Sequence, residues 1–113
     1  MVYVKLDYIN EVTGGDEELL LELIEIFFDQ YKEMKKMILE ALENKDYDTI
    51  RQVSHKIKSS LRTFGAHEVA MRFEKMEKYK NLQKFEDLGN YIHKTLDMCE
   101  QVKEELKHYI SRV

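Results

Sequence analysis

The chain of 113 residues has no proline, no tryptophan, only four glycines and one cysteine. Without proline no helix interior loses a backbone N–H, and with so few glycines there are few cheap left-handed positions. Strong helix formers (Leu, Glu, Lys, Met) fill the sequence instead, so long helices are expected. The lone cysteine, Cys99, excludes an internal disulfide. Long apolar runs are also missing: the richest stretch, LLLELIEIFF from Leu19 to Phe28, holds two glutamates and is far shorter than a membrane span. The N-terminal MVYVKLDYINEV lacks the basic segment followed by an apolar one that marks a secretory signal. A soluble, cytoplasmic protein without a membrane partner is expected. The 18 Lys and Arg are outnumbered by 22 Asp and Glu, and the formal net charge of −4 argues against nucleic acid, whose phosphates demand a cationic face.

What is present is a chain with 43% hydrophobic and 35% charged residues, the balance of a globular domain with a solvated surface. Its length suits one domain, residues 1–113, and no repeat, linker or low-complexity segment divides it. Gly14 and Gly15, followed by Asp16, Glu17 and Glu18, read as a turn feeding a helix whose N-terminus the acids stabilise. From there Leu20, Leu23, Ile24, Phe27, Tyr31, Met34, Ile38, Ala41 and Leu42 recur at spacings of three and four. They draw one stripe down a helix of about seven turns that ends near Asn44 and Lys45.

Asp46 is placed to cap a second helix reaching Thr63, with Ile50, Ser54, Ile57, Leu61 and Phe64 inward and Gly65 closing it in left-handed backbone. A third helix is expected from Ala66 to about Lys80, its stripe being Val69, Ala70, Phe73 and Met76, with Asn81 as terminator. The last, from about Leu82 to Ile110, carries Phe85, Leu88, Ile92, Leu96, Cys99, Val102, Leu106 and Ile110. Gly89 inside it suggests a close approach by a neighbouring helix. The fold class expected is all-α: an up-down four-helix bundle with a short helix around Leu6 to Val12 covering one end.

One segment departs from the acidic background. Between Thr49 and His67 there is no acidic side chain, while Arg51, Lys56, Lys58 and Arg62 are basic. His55 sits among them. At about 100° per residue it lies about 200° from Ile57 of the core stripe, so it faces water. Arg51, Gln52, Lys58 and Ser59 are three or four positions away on the same face, and Arg62 one turn further. An exposed imidazole offers a nucleophilic nitrogen near neutral pH, and cations one turn away suit a transferring phosphoryl group, whose charge spreads over its oxygens. An ordinary exposed histidine in a basic patch fits the same positions.

The string HKIKSSLRTFGA followed by HEVAMRFEKMEK closely resembles the signature of histidine-containing phosphotransfer (HPt) domains. His55 is followed by Ile57, by Lys58 three positions on, by small residues, and by the pair Phe64 and Gly65 nine and ten positions on. Upstream, the Gly-Asp start, the mid-helix Phe, the Ala, the acid opening the next helix and the small Ser54 are similar to the family as well. The likeness runs from about Leu6 to Lys80 and is generic beyond.

The resemblance implies a phosphorelay intermediate. His55 would accept a phosphoryl group on Nε2, Lys58 would stabilise it, and Glu77 on the following helix would accept from Nδ1–H and fix the tautomer. Arg51, Gln52, Lys56, Ser59 and Arg62 would meet the partner, a response-regulator receiver domain or a hybrid histidine kinase. The chain would act as a monomeric carrier rather than an enzyme, with no cofactor of its own, since the receiver supplies Mg²⁺. The initial methionine favours a chain that stands alone, and a domain cut from a larger hybrid kinase fits the same residues. Ser59 departs from the family, which usually has Gly there; its hydroxymethyl group either crowds the partner or donates to phosphoryl oxygens. Two other readings compete. A helical module that docks receivers or other signalling proteins without relaying phosphate would use the same surface. A di-iron bundle needs two Glu-x-x-His pairs, and only Glu105 and His108 have that spacing. His67, His93, Tyr79 and Tyr91 are expected at the surface, the tyrosines as contributors to partner contacts.

Overall fold

Asp16 begins the longest element as its sequence position predicts: its carboxylate accepts from the Leu19 N–H at 3.1 Å, with Glu17 and Glu18 in the first turn. A computed structural model describes residues 1–112 as five α-helices with no strand among them. These are α1 (Asp7–Thr13), α2 (Glu17–Glu43), α3 (Tyr47–Thr63), α4 (His67–Lys78) and α5 (Leu88–Ile110), with one 3₁₀ turn at Leu82–Lys84. The 27 residues of α2 span about 40 Å at 1.5 Å each, which sets the long axis of a molecule measuring 44 × 21 × 20 Å. Helix α3 packs against α2 and α4, α5 also packs against α2 and α4, and α1 lies on α2.

The apolar stripes form one core. Leu20, Ile24, Phe27, Tyr31, Met34, Ile38 and Ala41 of α2 are buried, as are Val69, Ala70, Phe73 and Met76 of α4. Leu23 and Leu42 lie at its margin. Asp46 caps α3 as expected, its carboxylate taking the Thr49 N–H at 3.2 Å and the Thr49 hydroxyl at 2.6 Å.

The corner between α3 and α4 depends on Gly65 for two reasons. Its φ is +74°, and a Cβ there would stand 2.3 Å from the Lys5 carbonyl oxygen. The N-terminal segment crosses at this point, with the Lys5 N–H donating to the Phe64 carbonyl at 2.9 Å. One end of the bundle is thereby closed by chain that precedes α1.

Four expectations at the other end are corrected. The last helix begins at Leu88, not Leu82: Asp87 takes left-handed backbone at φ 53°, and the preceding residues turn so that Leu82 is buried and the Phe85 ring lies 4.9 Å from Tyr91. Tyr91 is accordingly half-buried rather than exposed, with the Arg72 guanidinium 3.9 Å above its ring. Helix α4 stops at Lys78, where Tyr79 turns extended and its ring meets Phe85 at 4.7 Å. Gly89 has no tight neighbour, since a Cβ would meet only Leu42 Cδ2 at an ordinary 4.0 Å.

Candidate functional site

Along α3 the residues Arg51, His55, Lys58 and Arg62 follow at steps of four, three and four, so they share one stripe. That stripe runs beside α4 and meets it in antiparallel order. Arg51 Nη2 donates to the Tyr79 and Lys80 carbonyls at 2.8 and 3.2 Å. His55 Nδ1 lies 2.5 Å from Glu77 Oε1. Lys58 Nζ lies 2.5 Å from Glu77 Oε2 and 3.7 Å from Glu74 Oε1. Arg62 reaches Glu74 at 3.2 Å, and Lys78 approaches the same carboxylate at 3.2 Å.

Glu77 therefore joins two partners, one on each oxygen. The Lys58 ammonium, and to a lesser degree His55, hold its carboxyl below the ordinary carboxylate value of 4.5 against the opposing effect of burial. An ionised carboxylate is acceptor-only, so the proton in the contact sits on His55 Nδ1, and in the neutral ring that tautomer leaves Nε2 with its lone pair. The His55 side chain is 70% exposed. Its neighbour Ser54 is fully buried with an unpartnered hydroxyl, which shows how sharply the helix divides water from core at this point.

Lys58 lies deeper than periodicity alone suggests. Its side chain is only 11% exposed, its stem covers the core edge and its charge is matched by Glu77. Glu74 was not singled out by sequence reasoning, yet it gathers Lys58, Arg62 and Lys78; its carboxyl is held low, first by Lys78 and then by Arg62. Its spacing of three from Glu77 on α4 was the available signal.

The other residues expected to meet a partner fall on the opposite flank of His55. Gln52 and Lys56 line a groove of about 300 Å³ between α2 and α3, with Met34, Met37, Val53 and Ile57 as its apolar floor. Ser59 is exposed, and its carbonyl accepts from the Thr63 hydroxyl at 3.1 Å. His67, His93 and His108 are exposed. Glu105 is buried and occupied: it accepts from the Tyr3 N–H at 3.0 Å, the Val4 N–H at 2.9 Å and Gln101. The described residues contain no group of three or more His, Cys, Asp and Glu side chains that could hold a metal ion. No described helix is long and apolar enough to cross a membrane.

A family model described as "Hpt domain" matches residues 22–112. No curated protein and no solved structure matches the chain.

Proposed function

Because the chain belongs to the Hpt domain family, whose work is phosphotransfer in two-component signalling, we propose that His55 is its phosphoryl-accepting residue. In this reading the Nε2 lone pair attacks the phosphorus of a receiver-domain aspartyl phosphate. The N–P bond forms as the P–O bond breaks, the aspartate carboxylate leaves, and no proton moves. The ring that results keeps its proton on Nδ1 and carries a positive charge, which the Glu77 carboxylate is placed to balance. The observation that carries the reading is the 2.5 Å contact between His55 Nδ1 and an ionised Glu77 under a water-exposed ring.

Lys58 supplies positive charge to the phosphoryl oxygens, from a nitrogen that rests on Glu77 in the unphosphorylated protein. Gln52, Lys56 and Ser59, flanking the ring beside the groove, meet the receiver, and Arg62 lies at the margin of that contact. Mg²⁺ is the receiver's contribution. The chain acts as a cytoplasmic, monomeric carrier without a kinase site of its own, between a hybrid kinase or receiver and a response regulator. Its architecture is the up-down four-helix bundle of α2, α3, α4 and α5, with α1 as the cap.

The test is incubation with phosphorylated receiver domains. Wild type should acquire an acid-labile, alkali-stable phosphoryl group, and His55→Gln should acquire none. Absence of labelling from every candidate receiver, or equal labelling of His55→Gln, would leave a docking module in place of a carrier.

A further inference from the structure

The end of α4 is closed in an unusual way. The helices α1, α2, α3 and α5 each finish with the cap residue's N–H returning to a carbonyl of the last turn, as from Asn44 to Glu40 and from Ser111 to Lys107. At the end of α4 Tyr79 is extended, with ψ 124°, and the Tyr79 and Lys80 carbonyls point at a side chain from another helix, Arg51. That side chain is 29% exposed, and among the described residues its only carboxylate partner is Asp48 at 3.8 Å. Arg51 is one turn before His55 on α3, and Glu77 is two residues before Tyr79 on α4. The guanidinium therefore holds the backbone that immediately follows the carboxylate on which the His55 ring rests.

We propose that Arg51 is a positioning residue for phosphotransfer, rather than a partner contact. It acts through Glu77 by fixing the height of the last turn of α4 against α3. Lys58 grips the same turn from the other side of His55, so Glu77 is held between two cations a turn above and a turn below the ring. A carboxylate on a fraying helix end would lose a 2.5 Å contact with a displacement of about 1 Å, and misplacement on that scale costs reactions up to about a hundredfold. Arg suits the task because one planar group reaches two carbonyls; Lys offers a point charge that satisfies one. The inference rests on the reading of His55 as the phosphoryl acceptor, but its primary measurement is made without phosphate.

That measurement is the ¹⁵N spectrum of His55 above the ordinary imidazole titration range. Wild type should show Nδ1 protonated and Nε2 free. Arg51→Met should show the two tautomers mixed, and Arg51→Lys an intermediate population. Rates follow with phosphoramidate as the donor, where the Nε2–P bond forms as the donor's P–N bond breaks and ammonia leaves. Arg51→Met should be slower by about tenfold, and in a Glu77→Ala background the same change should add nothing, because the two residues act as one unit. Wild-type tautomer populations in Arg51→Met, or an undiminished rate loss in the Glu77→Ala background, would overturn the proposal. If circular dichroism shows Arg51→Met unfolded, Arg51→Lys decides in the same terms. Failure of phosphoramidate to label wild type would count against the carrier reading alone, and the tautomer comparison would still decide the role of Arg51.

Discussion

His55 and Lys58 are three residues apart on one helix face and lie in different environments. The imidazole stands in water while the ammonium is packed against Glu77 at the core edge. This makes Lys58 the residue on which the ionisation of Glu77 depends most: burial pushes that carboxyl up, and the lysine pulls it below 4.5. In Lys58→Met the opposing effect of burial remains, so the Glu77 carboxyl carbon should titrate at a higher pH than in wild type, which ¹³C NMR measures directly. The sign for stability follows from the lowered value. The contribution of Glu77 is complete above the ordinary carboxylate value of 4.5 and is lost as pH falls through its folded-state value. An unchanged Glu77 titration in Lys58→Met would show that the 2.5 Å ion pair does not govern the carboxylate.

Among the elements, the N-terminal segment and α5 depend on one buried carboxylate. Glu105 accepts from the Tyr3 and Val4 N–H groups, and Val4 is buried beneath it. The next residue, Lys5, bonds to Phe64 and covers Gly65 at the corner between α3 and α4. Glu105→Ala leaves two backbone donors without their acceptor, at a cost of about 1–3 kcal/mol for buried groups. Denaturant unfolding should register that loss, and amide exchange at Val4 and Lys5 should accelerate relative to the middle of α2. If both amides stay as protected as before, Glu105 is not what holds the segment. The spacing of Glu105 and His108 invited comparison with metal-binding pairs; the fold uses the acid to hold its own N-terminus, and His108 is exposed.

At the scale of the whole molecule, Cys99 reports on the bundle. It is fully buried on α5, and burial pushes its thiol well above the ordinary range, so the thiolate that reacts is scarce in the folded state. A thiol reagent at neutral pH should not react with Cys99 in the closed bundle and should label it only through the open state, at a rate set by the population of that state. Destabilising changes such as Glu105→Ala should raise that rate in proportion. Rapid labelling of native wild type would contradict the close packing of α5 on α2 and α4.

The inward face of each helix was legible in the sequence, because a stripe at steps of three and four has one energetically sensible side. The sequence by itself also determined the cap at Asp46, the left-handed Gly65 and the exposure of His55, all of which depend on neighbours along the chain. The start of α5 was not legible in it: Leu82 to Asp87 follow the terminator Asn81 with nothing local to keep them out of the last helix, and the turn they make instead is held by aromatic rings that meet across it. The same holds for the pairing of charges. Spacing placed Arg51, Lys58 and Arg62 around His55 as though free for a phosphoryl group or a partner, whereas α4 meets them with Glu74, Glu77 and two carbonyls. Only the packing of one helix against another decides where a long, flexible cation finds its acceptor, since that choice rests on distances between residues remote in sequence.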